Sequence, residues 1–143
     1  MAVAAAYYSQ AQSFSLTSLT ASIVVGVATS LILFCSHFHQ IADDLAAGKK
    51  SPIVRLGTLK AANLLPWLCG SIYILTTILV ALGSFPMWTL LIWLSCPFAV
   101  KLVRHVQQNH ARPEAVSNCK FIAVALHFWS GLFLSLGFML AGG

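Results

Sequence analysis

Four apolar stretches, each close to the ~20 residues that a helix needs to cross ~30 Å of hydrocarbon, dominate this chain. They run from about Leu16 to Phe38, Lys60 to Leu82, Phe85 to Val103 and Lys120 to Ala141. None alternates apolar and polar residues with a period of two, so they predict helices rather than the strands of a barrel. The predicted fold is therefore all-α: one transmembrane helix bundle with four full spans, occupying residues 1–143 as a partial membrane domain.

Composition excludes an ordinary soluble protein. Hydrophobic residues make up 59% of the chain and charged residues 8%, against roughly 25% charged in a typical soluble domain. The lipid bilayer is thus the expected partner. No nucleic-acid role is expected, because the chain has no water-facing domain on which basic and aromatic residues could alternate.

A short apolar piece precedes the first span. Residues Met1 to Tyr8 would cover only about 12 Å as a helix at ~1.5 Å per residue, and they lack the basic region of a secretory signal. We interpret residues 1–14 as a helix stub, the end of a helix whose beginning is not in this sequence.

The basic residues predict the orientation. With four spans, every lysine and arginine falls on or beside one face of the membrane: Lys49, Lys50, Arg55, Lys60, Lys101, Arg104, Arg112 and Lys120. By the positive-inside rule this face is cytoplasmic. The sequence predicts an integral, multi-pass protein of the plasma or thylakoid membrane, with residues 40–59 forming a cytoplasmic loop.

Charge is concentrated in one segment, His37 to Thr58, which reads HFHQIADDLAAGKKSPIVRLGT. If the first span continues as a helix through Asp44, then His37, Gln40 and Asp44 share one face, and Gly48 ends the helix as a left-handed cap. Asp43 and Asp44 would then lie in the last turn, where the helix dipole disfavours each anion by roughly 0.3–1 kcal/mol. A bound cation would reverse that cost.

The same segment has the composition of a diphosphate site. Magnesium commonly binds through one or two carboxylates plus substrate phosphates, and Lys49, Lys50 and Arg55 supply donors suited to phosphate oxygens. The alternative is a loop that lies among lipid headgroups, with the two aspartates paired to nearby lysines. A zinc site is not favoured, because His37 and His39 point to different sides of a helix and no third ligand is evident; Cys35, Cys69, Cys96 and Cys119 form no C-x-x-C pair.

The run DDLAAGKKSPIVRLGT resembles the second aspartate-rich motif of the UbiA superfamily of membrane prenyltransferases. The longer run FCSHFHQIADDLAAGKKSPIVRLGT, with SNCKFIAVALHFWSGL later, is similar to the cyanobacterial and plastid branch that transfers phytyl groups. The resemblance implies nine transmembrane helices and two aspartate-rich motifs across a central cavity. This chain would correspond to the end of the fifth helix through the ninth, and the first motif, N-D-x-x-D, is not in it.

The resemblance also implies the reaction and its residues. Mg²⁺ and basic groups would remove diphosphate from phytyl diphosphate, and the carbocation would attack 2-carboxy-1,4-naphthoquinone with loss of the carboxyl group, in phylloquinone biosynthesis. Asp44 matches the last aspartate of the motif and Asp43 is its helper; both are the expected catalytic and metal-binding residues. The residues expected to contact diphosphate are Lys49, Lys50, Arg55 and Gln40, the last standing where bacterial members often carry a carboxylate.

Two functional classes follow. The first is the C-terminal half of an aromatic prenyltransferase, inactive alone and completed by a chain that carries the N-terminal half. The second is a small non-catalytic multi-span membrane protein, or a subunit that completes another chain.

Overall fold

The computed structural model describes residues 2–13 and 15–142, which form helices and turns without a β-strand. The predicted all-α fold is confirmed. The helices are α1 (Ala2–Ala11), α2 (Leu16–Ser36), α3 (Ile41–Ala46), α4 (Pro52–Leu56), α5 (Thr58–Ala81), a 3-10 helix η1 (Met87–Ser95), α6 (Cys96–Asn109), α7 (Pro113–Val116) and α8 (Cys119–Gly142).

Four helical segments in the described part are long and apolar enough to cross a membrane: Leu16–Ser36, Thr58–Ala81, Met87–Asn109 and Pro113–Gly142. This is the number expected from the apolar stretches. The helix predicted at the N-terminus extends over Ala2–Ala11; Met1 and Phe14, which the predicted stub also includes, lie outside the described residues.

Helices α8 and η1 pack closely against each other and form the most extensive contact between elements of the bundle. A Cβ atom on Gly137 would lie 2.5 Å from the Cα atom of Thr89 and 2.6 Å from the carbonyl oxygen of Trp88, so only glycine fits there. Small residues commonly allow such backbone approach between membrane helices. Near the other end of α8, the Cys119 thiol donates to the Cys35 carbonyl oxygen of α2 at 3.2 Å.

Hydrogen bonds join the connections at each end of the bundle. At one end the Thr17 hydroxyl donates to the Ser84 carbonyl oxygen at 3.3 Å. At the other, His110 Nδ1 lies 3.1 Å from the Thr58 hydroxyl oxygen. The segment after α2 and the polar connection after α6 therefore share one end of the molecule.

The third span is irregular. It begins as the 3-10 helix η1 and becomes α-helical at Cys96, with Pro97 in the first turn of α6. Proline is tolerated in a first turn because the N–H that it lacks has no intrahelical partner there. The third span thus changes helix type next to Pro97.

Candidate active site

The charged segment begins where α2 stops. The predicted continuation of this helix through Asp44 is wrong: α2 ends at Ser36, His37 is its C-cap, and the chain turns before α3 starts at Ile41. The turn places the Phe38 ring in the core, where it is fully buried and contacts the Phe34 ring edge-on, with 5.8 Å between ring centroids. Burial of this ring accounts for the break.

The break changes the electrostatics of the two aspartates. Asp43 and Asp44 lie in the first turn of the six-residue α3, not in the last turn of a long helix as predicted. Backbone N–H groups carry the partial positive charge at this end of a helix, so the dipole favours the anions instead of opposing them. Their presence therefore does not by itself require a cation.

Asp44 is the buried member of the pair. Its residue surface is 5% exposed, whereas Asp43 is exposed. Asp44 Oδ2 lies 3.2 Å from Nδ1 of His37; a carboxylate can only accept, so Nδ1 carries the proton. A hydrogen bond from the Ser51 hydroxyl, the bond from His37 and the nearby Lys49 charge hold the pKa of the Asp44 carboxyl below its ordinary value of 3.8, and outweigh the opposing effect of burial.

Gly48 reverses the chain after α3, as the sequence predicted. Its φ of +66° is left-handed, a conformation that glycine adopts at little cost. The Gly48 N–H donates to the Leu45 carbonyl oxygen at 3.1 Å and the Lys49 N–H to that of Asp44 at 2.8 Å, the two bonds of a Schellman cap. This cap places Lys49 beside Asp44.

Sequence reasoning missed Ser51 and the short helix α4. Ser51 is the N-cap of α4, where its hydroxyl oxygen accepts from the Val54 N–H at 3.5 Å, and Pro52 occupies the first helical position. A serine followed by proline is a recognised helix-start signal, so it could have been found. The bond from Ser51 to Asp44, between two separate helices, had no sequence signal.

The remaining predicted residues lie in the same segment and differ in exposure. Lys49, Lys50 and Arg55 are exposed, and the charge of Lys49 acts on Asp44. No side-chain hydrogen bond or ion pair engages Lys50 or Arg55 within the described residues, so both are available to a ligand. Gln40 is half-buried at the start of α3, where its side chain makes no capping bond.

An apolar groove begins at His37, beside Asp44, and extends along α2 and α5. It has a volume of about 650 Å³, lies between α2 and α5, and includes His37 in its lining. Its other lining residues are largely aliphatic or aromatic, among them Ile23, Val27, Phe34, Leu64 and Leu68. A ligand with a charged head and a long apolar tail would match the cluster and the groove together.

The carboxylates fit one part of a magnesium site. Asp43 and Asp44 offer the hard oxygen donors that Mg²⁺ prefers, and one or two protein carboxylates suffice when phosphates supply further ligands. Within the described residues no three histidine, cysteine, aspartate or glutamate side chains are grouped so that they could hold a metal. By themselves these two carboxylates would form only part of a metal site.

Fold and site together define a multi-span integral membrane protein with a carboxylate and lysine cluster at the helix ends. The UbiA prenyltransferase family model matches residues 1–132, and the chain belongs to this family. The resemblance seen in DDLAAGKKSPIVRLGT is confirmed.

Three curated relatives are similar to the chain. It is 58% identical over 142 residues to the 2-carboxy-1,4-naphthoquinone phytyltransferase of Synechocystis sp., an alignment that covers 99% of this chain and 46% of the relative. The chloroplastic 2-carboxy-1,4-naphthoquinone phytyltransferase of Arabidopsis thaliana is 40% identical over 124 residues, 86% of this chain and 32% of the relative. The 1,4-dihydroxy-2-naphthoate octaprenyltransferase of Bacillus subtilis is 24% identical over 135 residues, 94% and 43% respectively.

The chain thus spans about half the length, or less, of the curated relatives that it matches. No solved structure matches it.

Proposed function

We propose that this chain forms the diphosphate-binding half of an aromatic prenyltransferase that transfers a phytyl group from phytyl diphosphate to 2-carboxy-1,4-naphthoquinone, in phylloquinone biosynthesis. The observation that carries the proposal is the buried Asp44 carboxylate, held by His37 and Ser51 beside Lys49. The names of the relatives at 58% and 40% identity support the phytyl donor and this acceptor.

In this proposal the donor's head lies over α3 and α4. Lys49, Lys50 and Arg55 contact the diphosphate oxygens, with Arg55 able to make paired hydrogen bonds, and Gln40 donates from the start of α3. Asp43 and Asp44 would hold Mg²⁺, which would neutralise part of the negative charge on the diphosphate and make it a better leaving group. His37 and Ser51 fix the Asp44 carboxylate in one orientation.

The reaction breaks two bonds and forms one new carbon–carbon bond. The C–O bond between the prenyl chain and diphosphate breaks, and diphosphate takes the electron pair. The bond between the acceptor ring and its carboxylate also breaks, which releases carbon dioxide and leaves an electron pair on the ring carbon. This pair forms the new carbon–carbon bond to the prenyl carbon, so the charges balance without an oxidant.

The groove between α2 and α5 would hold the apolar tail. Because it contains His37 at one end, a tail lying in it would leave its diphosphate head beside Asp44. The polar end of the bundle carries every basic residue, and we place it on the cytoplasmic side of a plasma or thylakoid membrane. A second acidic cluster completes the site, from the portion that corresponds to the remaining length of the relatives, on the same protein or on a partner chain.

A fusion tests the proposal. The portion of the Synechocystis relative that this chain does not cover is joined to the chain, and the protein is assayed in lipid nanodiscs with phytyl diphosphate, 2-carboxy-1,4-naphthoquinone and Mg²⁺. We expect phytylated naphthoquinone from the fusion and none from the 143-residue chain alone. Asp44→Asn, which keeps the side-chain shape, should nearly abolish product formation.

Glu114→Gln is the matched control, because this carboxylate is exposed on α7, outside the proposed site. A near-normal rate in the Asp44 variant would overturn the site assignment. An inactive fusion, beside an active Synechocystis relative in the same assay, would favour the non-catalytic class.

A further inference from the structure

A second groove lies on the other side of α5, between this helix and the third span. It has a volume of about 530 Å³ and its lining includes Gly70 and Ile74 of α5, Trp93 of η1, and Val100, Val103 and Arg104 of α6. It contains none of the chain's three acids, and neither His37 nor Lys49 lines it. It is therefore distinct from the candidate active site.

The apolar part of this groove has a fixed wall. The Tyr73 hydroxyl is buried and lies 3.0 Å from the Ser95 hydroxyl oxygen, which joins α5 to η1. The Tyr73 and Trp93 rings are in contact, with 5.1 Å between centroids. Trp93 Nε1 also donates to the Thr77 hydroxyl at 3.3 Å. The Trp93 ring is thus held in place while 49% of its surface stays exposed.

The other end of the groove is basic. Arg104 and Gln107 line it, and Lys101 lies one turn before Arg104, on the adjoining surface of α6. Over residues 2–13 and 15–142, the one ion pair joins His37 to Asp44, so neither Arg104 nor Lys101 has a carboxylate partner. Trp93 and Arg104 are separated by roughly 17 Å of helical rise. The groove therefore has an apolar end at Trp93 and an unpaired guanidinium at its other end.

We propose that this groove binds an anionic phospholipid, with one acyl chain against Trp93 and Ile74 and the headgroup phosphate on Arg104 and Lys101. Guanidinium and ammonium groups at the polar end of a membrane helix attract anionic lipids, and basic pockets between helices bind their headgroups. An apolar protein helix in this groove would leave the Arg104 guanidinium without an anionic partner, which is costly, whereas a lipid phosphate supplies one. The unpaired charge favours the lipid.

Trp93 provides the measurement, because it is the tryptophan that lines the groove. A variant that keeps Trp93 alone (Trp67→Phe, Trp88→Phe, Trp129→Phe) is placed in phosphatidylcholine bilayers. Brominated phosphatidylglycerol or brominated phosphatidylcholine is then added in increasing amounts, and quenching of Trp93 fluorescence gives the relative affinity. We expect roughly a fivefold preference for phosphatidylglycerol, the effect of about one basic residue near an anionic headgroup.

Arg104→Gln should bring this preference close to one. Arg112→Gln is the control: Arg112 is an exposed arginine in the connection that follows α6, outside the groove. Equal quenching by the two lipids overturns the proposal. An equal loss of the phosphatidylglycerol preference in Arg104→Gln and Arg112→Gln overturns it too. Relief of quenching by phytyl diphosphate also overturns it, because the groove would then belong to the prenyl donor.

Native mass spectrometry of the unsubstituted chain, released from mixed bilayers, provides a readout that does not depend on the tryptophan substitutions. Retained phosphatidylglycerol supports the site, and retention of phosphatidylcholine at the same level contradicts it.

Discussion

His37 Nδ1 lies 3.2 Å from Asp44 Oδ2, although the two residues belong to different helices. His37 caps α2, Asp44 lies in the first turn of α3, and the turn between them brings the side chains together. The pair joins a membrane span to the start of the charged segment. It gives the only buried carboxylate of the described residues a defined orientation.

Loss of this bond should reduce catalysis. In the fusion protein we expect His37→Ala to lower kcat/KM roughly 10- to 100-fold, the usual effect of removing a partner that orients a ligand carboxylate. His37→Asn should recover most of the activity, since its amide can donate where Nδ1 does. His39→Ala is the control, because its Nδ1 atom has no partner in the described structure; an equal loss in that variant would argue for a general packing effect.

The stability of the chain should depend on Asp44 at low pH. Because the pKa of the folded Asp44 carboxyl lies below its ordinary value of 3.8, ionised Asp44 stabilises the folded state fully above that value, and the contribution disappears as pH falls through the folded pKa. The thermal midpoint of the chain, followed by circular dichroism in detergent, should exceed that of Asp44→Asn at pH 6, and the difference should shrink below pH ~4. Asp43→Asn, at an exposed site in the same turn of α3, is the matched control and should lower the midpoint less than Asp44→Asn does at pH 6; a constant Asp44→Asn difference across pH would contradict the assignment.

Lys49 should act on donor binding more than on turnover. We expect Lys49→Ala to raise KM for phytyl diphosphate by about 10- to 100-fold, because a hydrogen bond to a charged group contributes ~1.5–3 kcal/mol. Steady-state kinetics of the fusion protein measure the effect. Lys60→Ala removes an exposed lysine of the neighbouring helix α5 and should leave KM unchanged. A fall in kcat with constant KM would instead assign Lys49 to the chemical step.

Gly137 offers a test of the fold itself. Gly137→Ala should lower the free energy of unfolding by about 1–3 kcal/mol, since the new methyl group meets the Thr89 backbone and α8 must move away from η1. Gly131→Ala lies on the same helix with open space around its Cβ position. It should be neutral or stabilising by up to ~1 kcal/mol through helix propensity. Unfolding in mixed detergent micelles measures both, and equal values would contradict the close contact.

The local sequence pattern predicted the membrane-spanning helices but not the point at which α2 ends. The four spans follow from apolar length, and the Gly48 cap follows from glycine's freedom in the left-handed region. The end of α2 at Ser36 has no such signal. It accompanies burial of Phe38 in the core of the bundle, and periodicity along one helix cannot report that burial.

The sequence by itself determined the solvent, the helical class, the common end of all basic residues and, through DDLAAGKKSPIVRLGT, the family. Hydrocarbon requires every backbone group to be satisfied within its own helix, so length and composition are enough to determine the solvent and the helical class. Tertiary structure alone decided that Asp44 rather than Asp43 is buried, that His37 and Ser51 hold it, and that the dipole favours both aspartates. These are relations between separate helices, and they depend on which side chains the packed bundle excludes from its surroundings.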